Sequence, residues 1–349
     1  MARLVFIFGL LWSAWVGAND GCGGATLCAS FEPSTTAFGT PKPARLTTDG
    51  GLRWWVGNKG HDALDSTRIA LVDFGRDGAS ALRITTLNDD RCVESGSCNA
   101  HTFERSEISL DPAAPGSSTG AVEGAEQWWA HSVYFPPEFQ IRSGAGAQSL
   151  VLQFHNGGRQ PAIVLEVYNQ LGTNRWKVFR ARAQGPDGSD KAGTQYSYKP
   201  SGAGKQAGQC IHDNVAEGVW YDFVHYIRWS SSGRGVHRIW MREGSGPVKQ
   251  VLDQSGLSTI YAPGDPNGRP YAYLKLGLYH NPIVAGEAEG ERLAKGRFGA
   301  YLPPLVPGVS SVIHDRLRRG TSFAAVAPPD FKMPSGGVVM CSGTRLSPL

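Results

Sequence analysis

Short runs of alternating apolar and polar residues, bounded by Gly, Pro, Asn, Asp or Ser, follow one another along this chain. A period of two residues between turn residues predicts β-strands. The strands are expected at 80–86, 103–110, 128–135, 149–155, 162–168, 176–181, 220–229, 236–241, 271–279 and 311–317. Two segments, 184–208 and 260–270, are expected to be long connections, and one helical turn is expected at 287–294. The pattern therefore predicts an all-β protein.

Three of these strands carry one apolar face and one face of polar or titratable groups. Residues two apart on a strand share a face. The polar faces contain Arg105 and Glu107 in the first strand, Val151, Gln153 and His155 in the second, and Tyr273, Lys275 and Tyr279 in the third. Each group taken singly has an ordinary structural explanation, such as a same-face ion pair or a packing tyrosine. Their combination on three strands is what indicates a functional site.

The first eighteen residues place one arginine before a long apolar run and end in Val-Gly-Ala, which predicts a cleaved signal peptide over 1–18. The mature chain, 19–349, is expected to be one domain, secreted or periplasmic, monomeric and without a further membrane segment. Its formal net charge, given as +4 for the whole chain, is spread along the sequence. That distribution argues against nucleic-acid binding and is compatible with an acidic polymer.

Six cysteines are an even number in a chain expected to enter an oxidising compartment, so disulfides are the default. Fifteen connectivities are possible for six cysteines, and the sequence leaves them open. Local spacing favours the pairs Cys22 with Cys28 and Cys92 with Cys98, which leaves Cys210 for Cys341. A metal-binding role is disfavoured because the sequence has no Cys-x-x-Cys pair.

The motifs Arg105-Ser-Glu-Ile, Gln153-Phe-His155 and Tyr273-Leu-Lys-Leu-Gly-Leu-Tyr279, in this order, resemble the cleft strands of jelly-roll polysaccharide lyases. That group includes alginate, glucuronan and heparin lyase I-like enzymes, and similar framework motifs extend the resemblance over roughly 82–326. The resemblance implies a β-jelly roll, a concanavalin-like sandwich of two antiparallel sheets with a concave substrate cleft. It also implies an acidic polysaccharide substrate of the glucuronan, alginate or heparin type.

Cleavage by β-elimination removes the C5 proton of a uronate and expels the glycosidic oxygen at C4. Arg105 and Gln153 suit stabilisation of the enolate that develops at the carboxylate. His155 is the expected base and Tyr279 the expected acid, since their reference pKa values lie near 6.5 and 10. If the proton and the leaving group share one face of the sugar, Tyr279 serves in both roles and His155 mainly binds.

Further residues are expected to assist. Lys275 suits a neighbouring carboxylate, and Glu107 suits the orientation of Arg105. Substrate contacts are also expected from Tyr273, Asn156, His131, Trp129 and His280, whereas His225 is expected to be structural. The chemistry requires no cofactor. The resemblance adds a structural calcium ion, for which Glu32 and Asp315 are the candidate ligands.

Two other functions stay open. A glycoside hydrolase on a similar sandwich needs two carboxyl groups flanking the bond, and the Glu-x-Asp-x-x-Glu strand of laminarinase-like enzymes is absent from this sequence. A noncatalytic carbohydrate-binding module uses aromatic and amide side chains on a sheet to bind sugars without cutting them. A nucleotide enzyme is disfavoured because the glycines match neither a dinucleotide fingerprint nor a P-loop.

Overall fold

The computed structural model describes residues 22, 24–34, 36–41, 44–57, 67–87, 104–111, 118–140, 148–157, 161–169, 177–183, 209–213, 215–266, 268–280, 309–339 and 341. The predicted signal peptide, the pair Cys92 and Cys98, the connection 184–208 and the helical turn 287–294 lie outside these residues. Within them, eighteen strands, one short α-helix and one turn of 3-10 helix (Asp49–Gly51) are present.

The strands are β1 (Leu27–Ala29), β2 (Ala37–Pro41), β3 (Ala44–Thr48), β4 (Leu52–Gly57), β5 (Ile69–Val72), β6 (Ala81–Thr86), β7 (Glu104–Leu110), β8 (Ala121–Val122), β9 (Glu126–Tyr134), β10 (Gln148–His155), β11 (Pro161–Asn169), β12 (Lys177–Ala183), β13 (Gln209–His212), β14 (Trp220–Arg228), β15 (Gly235–Glu243), β16 (Lys249–Leu257), β17 (Tyr271–His280) and β18 (Ser310–Gly320). The helix is α1 (Phe323–Val326). Every strand predicted from the alternation is confirmed, with ends displaced by up to three residues. The connection predicted at 260–270 separates β16 from β17, as expected.

Two antiparallel sheets form the fold in the described part of the chain. Sheet A has the order β16-β15-β14-β9-β18-β6-β5, with β1 also paired to β18. Sheet B has the order β13-β12-β11-β10-β17-β7-β4-β3-β2, with β8 also paired to β17. Strands that are neighbours in a sheet are often distant in sequence, which is typical of jelly rolls. The predicted all-β jelly roll is confirmed.

Apolar side chains from both sheets fill the space between them. Trp129 and Trp229 of sheet A pack edge-on against Phe154 of sheet B, with ring centroids 5.2 and 5.3 Å apart. Both indole N–H groups donate to Gln127 Oε1, at 3.0 and 2.9 Å. Because each buried indole finds an acceptor, these large rings contribute apolar burial without an unsatisfied donor.

Four histidines of sheet A also face sheet B. They are His131, His225, His237 and His314, and each is 2% exposed or less. His225 Nδ1 lies 3.0 Å from His237 Nε2, so the expectation that His225 is structural agrees with its position. His314 Nε2 lies 3.3 Å from the carbonyl oxygen of Gly277 in β17, which ties the two sheets together beneath the outer face of sheet B.

A β-bulge interrupts the alternation of β10. Its register shifts between Leu150 and Leu152 against both neighbouring strands, β11 and β17. The consecutive residues Val151 and Leu152 therefore both lie in the main core. The prediction that Val151 shares a face with Gln153 and His155 is wrong, because a bulge re-aims the side chains on one side of it.

Two disulfides are present among the described residues, Cys22–Cys28 and Cys210–Cys341, and both match the predicted pairs. The second joins edge strand β13 to the C-terminal segment. Among the described residues, no helix combines the length and the apolar character that a bilayer crossing requires.

Candidate active site

The outer face of sheet B, opposite the core, collects the polar side chains of three adjacent strands. In β17, Leu274, Leu276 and Leu278 lie in the core, so Tyr273, Lys275 and Tyr279 face outward. The pairing of β17 with β7 sets Tyr279 opposite Arg105, and its pairing with β10 sets Lys275 opposite Gln153 and Tyr273 opposite His155. The outer face thus carries all seven polar site residues predicted on these strands, and Asn156 follows directly after β10.

Glu107 is the centre of this face. Its side chain is only 4% exposed, and Oε2 lies 3.6 Å from Arg105 Nε and 3.7 Å from Lys275 Nζ. The other oxygen, Oε1, accepts a hydrogen bond from Gln153 Nε2. Two cations around one carboxylate leave an excess positive charge, which favours an anionic ligand. The expectation that Glu107 orients Arg105 agrees with this geometry.

Gly277 leaves the space that the Glu107 side chain occupies. It stands between Lys275 and Tyr279 on the outer face and pairs with Glu107 across the strands. A Cβ at this position would lie 2.6 Å from Glu107 Cα and 2.8 Å from its Cγ. Because glycine has no side chain, Glu107 can lie across β17 and reach Gln153 on the far strand.

His155 is neutral in this arrangement. Burial, together with the positive charges of Lys275 and Arg105, lowers its pKa to about 3. Nδ1 accepts the backbone N–H of Gly157 at 2.9 Å and lies 3.3 Å from Tyr273 Oη. A ring nitrogen that accepts a backbone N–H carries no proton, so the proton of the neutral ring is on Nε2.

Tyr279 lies beside Arg105 instead of beside His155. The Arg105 guanidinium is 5.4 Å from the centroid of the Tyr279 ring. His155 is opposite Tyr273, six residues from Tyr279 along an extended strand, a Cα separation on the order of 20 Å. Burial and the Glu107 charge raise the pKa of Tyr273, so this neighbour of His155 is protonated.

Two predicted substrate contacts have other surroundings. Asn156 is fully buried, donates to the Tyr271 carbonyl at 3.2 Å and accepts from the Ala162 backbone N–H at 3.1 Å. It therefore fastens the end of β10 to its neighbours and holds His155 from the adjacent position. His131 lies in sheet A, 2% exposed and stacked on Phe223, which puts it in the interior and not on the outer face of sheet B. The prediction that His131 contacts the sugar is corrected on this ground.

Trp129 is likewise buried in the core, and the side chain of His280 lies outside the described residues. Trp129 is buried because it points inward from β9. The alternation of residues alone did not show which face of β9 points inward. No sequence signal distinguishes the two faces of this strand, because both carry large apolar residues.

The predicted calcium ligands lie near each other, away from sheet B. Burial raises the pKa of Asp315 to about 7, and the charge of Glu32 contributes to that rise. The Asp315 oxygens already accept the backbone N–H groups of Arg76 and Arg316, both at 2.7 Å. Calcium prefers six to eight oxygen ligands, and the described residues offer no third carboxylate, imidazole or thiol close to this pair. They do not complete a calcium shell, and the site stays a prediction.

Two residues of the outer face were not predicted. Trp55 and Arg45 lie on β4 and β3, at the side of β7 away from β17. Leu52 and Trp54 point into the core. The two-residue alternation that places them there is present in the sequence at 52–56. The strand was not predicted because the segment is short and is followed closely by Gly and Asn.

Jelly rolls of two antiparallel sheets include lectin domains, which bind carbohydrates. The family model described as "Polysaccharide lyase" matches residues 51–294, and the chain belongs to this family. The resemblance noted from the strand motifs is thereby confirmed. No curated protein matches the sequence.

Several solved structures are similar to this chain. An endo-β-1,4-glucuronan lyase from the fungus Trichoderma reesei is 17% identical, covers 74% of this chain and 88% of its own, and has a TM-score of 0.42. The alginate lyase PA1167 from Pseudomonas aeruginosa is 16% identical, covers 83% and 99%, and has a TM-score of 0.37. An alginate lyase from Klebsiella pneumoniae is 12% identical, covers 87% and 99%, and has a TM-score of 0.41. None of these likenesses identifies the substrate of this chain.

Proposed function

We propose that this chain is a secreted polysaccharide lyase that cleaves a uronic-acid polymer by β-elimination. The observation that carries the proposal is the cluster of Arg105, Lys275 and Gln153 around the buried Glu107. Such a cluster is suited to a sugar carboxylate, because two cations and one amide lie together on an exposed sheet face. Membership of the polysaccharide lyase family supports the same conclusion.

Charge stabilisation is the first task of such an enzyme. Removal of the C5 proton adds negative charge to a group that is already a carboxylate. Arg105 offers a forked, charge-assisted contact, and Lys275 adds a second positive charge. Because Glu107 fixes both cations before substrate arrives, little reorganisation is needed when the enolate forms.

Proton transfer is the second task, and the structure of the His155 ring favours a tyrosine for it. A base needs an unprotonated atom that faces the substrate, whereas His155 Nδ1 is engaged by Gly157. We therefore assign His155 Nε2–H to binding. Tyr279, as the phenolate beside the Arg105 cation, then takes the C5 proton, and the phenol so formed gives that proton to the glycosidic oxygen while the C4–O bond breaks and the C4–C5 double bond forms.

The experiment is incubation of the purified protein with a panel of polyuronates while the ultraviolet absorbance of unsaturated product is followed. Tyr279→Phe is expected to lower kcat roughly 10³-fold. Tyr226→Phe is a matched control, since Tyr226 lies on sheet A. Absence of the absorbance with every polymer contradicts the lyase. New reducing ends without it indicate the hydrolase, and binding without product indicates the noncatalytic module.

Two variants separate the proton-transfer assignments. His155→Gln keeps a side-chain N–H donor, so it retains part of the activity if His155 binds substrate through Nε2–H. It is as inactive as His155→Ala if His155 is the base. Tyr273→Phe tests the tyrosine beside His155. If Tyr273→Phe loses all activity while Tyr279→Phe stays active, Tyr273 is the acid instead of Tyr279.

A further inference from the structure

The outer face of sheet B continues past the Glu107 cluster over β4 and β3. Leu46 and Trp54 lie in the main core, so the residues beside them in sequence, Arg45 and Trp55, face outward. This part of the sheet has no role in the chemistry described above.

One row of paired residues joins this region to the cluster. The successive pairs are Gln153 with Lys275, Lys275 with Ser109, Ser109 with Trp55, and Trp55 with Arg45. Two strand spacings separate Lys275 from Trp55, a distance on the order of 10 Å. A linear polymer that contacts Lys275 and runs along the row, across the strands, therefore meets Trp55 within a few sugar units.

The two side chains have the chemistry of a ligand site. Trp55 is 37% exposed, although it is a large aromatic residue. The Arg45 guanidinium carbon lies 4.7 Å from the centroid of its ring. Among the described residues, Arg45 Nε finds no hydrogen-bond acceptor. Arg53 on the same face differs, since it forms an ion pair with Asp111 at 3.3 Å.

We infer that Arg45 and Trp55 form a distal subsite that binds a further uronate unit of the polymer being cleaved. This inference rests on the proposed function. The exposed indole accepts the apolar C–H face of a pyranose ring. The guanidinium supplies charge-assisted hydrogen bonds to the carboxylate of the same unit. A neutral sugar would satisfy the indole and leave the guanidinium without its partner, so the subsite selects uronates.

A subsite outside the reacting centre has a definite kinetic signature. It adds binding energy only for oligomers that are long enough to span both regions. The wild-type kcat/KM therefore rises with chain length and then reaches a plateau. Loss of the subsite raises KM for long substrates, with kcat little changed, and leaves the shortest cleaved oligomer unaffected.

The test is steady-state kinetics of Trp55→Ala and Arg45→Gln on a size series of oligouronates and on the polymer. Each variant is expected to raise KM for the polymer roughly tenfold, the effect of one lost contact to a charged or aromatic group. Phe74→Ala and Arg238→Gln are the matched controls. Phe74 is 43% exposed, Arg238 stacks on Tyr226, and both lie away from sheet B, so their kinetics are expected to be those of the wild type.

Either of two results overturns the subsite while the lyase stands. One is a variant KM that matches the wild type on every substrate. The other is an equal loss of kcat/KM on short and long oligomers at an unchanged melting temperature, which indicates a general effect on the site. If the wild-type protein forms no unsaturated product from any polyuronate, the proposed function fails and the subsite fails with it.

Discussion

Glu107 shows how a single buried charge can organise a binding face. Its carboxylate is nearly inaccessible, yet it lies within 4 Å of a nitrogen of both Arg105 and Lys275 and holds the amide of Gln153. Breaking a buried ion pair by removing one partner leaves charge uncompensated and the remaining groups unfixed. In the proposed mechanism the residue is therefore a positioning group whose effect is transmitted through its neighbours.

Glu107→Gln is expected to lower kcat/KM roughly 10- to 100-fold, since Arg105 and Lys275 lose the charge that fixes them. The measurement is kcat and KM on the polymer that the wild type cleaves, with circular dichroism to show folding. Glu123→Gln is the control, because Glu123 is exposed and binds Ser231 on sheet A. Unchanged kinetics in a folded Glu107→Gln variant would remove Glu107 from the site.

The pH dependence of activity tests the state of His155. With its pKa lowered to about 3 by burial, Lys275 and Arg105, the ring stays neutral throughout the range in which histidine ordinarily titrates. We expect a kcat/KM profile without an acidic limb centred near 6.5, the ordinary histidine value. A limb at that position that is absent from the His155→Gln profile would show that the ring is accessible and titrates normally.

At the scale of elements, β17 depends on one residue that has no side chain. Gly277 faces Glu107 so closely that a Cβ would collide with the Ser106 carbonyl and the Glu107 backbone. In the pairing of β17 with β10, Gly277 has no opposite residue, and its carbonyl instead lies close to His314. Three features therefore meet at Gly277. It faces Glu107 of the candidate site, it lies at the register shift between β17 and β10, and its carbonyl lies close to the core residue His314.

Gly277→Ala is expected to lower both the melting temperature and the activity, because β7 must move away to admit the methyl group. Gly337→Ala is the control, since a Cβ there meets nothing within 4 Å. Thermal unfolding and initial rates on the same preparations provide the measurement. A Gly277→Ala protein with wild-type stability and rates would show that the strands separate without cost.

Long strands with a clean period were predictable, and short or irregular ones were not. In β17 the alternating leucines alone predict which face of the strand is buried. By contrast, β16 carries polar residues on most positions and is a strand because β15 pairs with it. The wrong face for Val151 has the same origin, since the bulge depends on two partners that the local sequence does not contain. His131 was misassigned because burial between the sheets is a tertiary property, and Asn156 because its backbone partners lie in other strands, β11 and β17.

For the whole molecule, the histidines between the sheets set its tolerance of acid. Burial lowers the pKa of His225 to about 3 and that of His314 to about 4, and it lowers those of His131 and His237 well below the ordinary value. These rings are neutral when folded but protonated in the unfolded chain below about 6.5. The unfolded state therefore binds more protons in acid.

The free energy of unfolding is expected to fall as the pH drops from about 6.5 toward 4, by roughly 1.4 kcal/mol per pH unit for each proton taken up. Asp315 acts in the opposite sense. Because its pKa is raised to about 7, Asp315 stabilises the folded state fully below pH 3.8, and this stabilisation is lost as the pH rises through 7. Urea titrations at several pH values measure the combined effect of these groups on the free energy of unfolding. A free energy of unfolding that stays constant between about pH 6.5 and pH 4 would contradict the burial of the histidines.

The two disulfides should differ in their effect on stability. Cys210 and Cys341 are 131 residues apart in sequence, whereas Cys22 and Cys28 are separated by 6. On the chain-entropy account the long loop contributes roughly 4 to 5 kcal/mol and the short loop less. Cys210→Ser with Cys341→Ser should therefore lower the midpoint of denaturation more than Cys22→Ser with Cys28→Ser. Equal losses would point to effects other than loop closure.

The position of β18 has a consequence for the order in which the protein is made. This strand is the last among the described residues, yet it lies between β9 and β6 and also pairs with β1. While a ribosome is still producing the preceding residues, sheet A consists of two parts without the strand that joins them. Contacts between distant segments form late, so folding has to wait for almost the whole polypeptide. A chain of this topology therefore keeps sheet A incomplete until β18 has been synthesised.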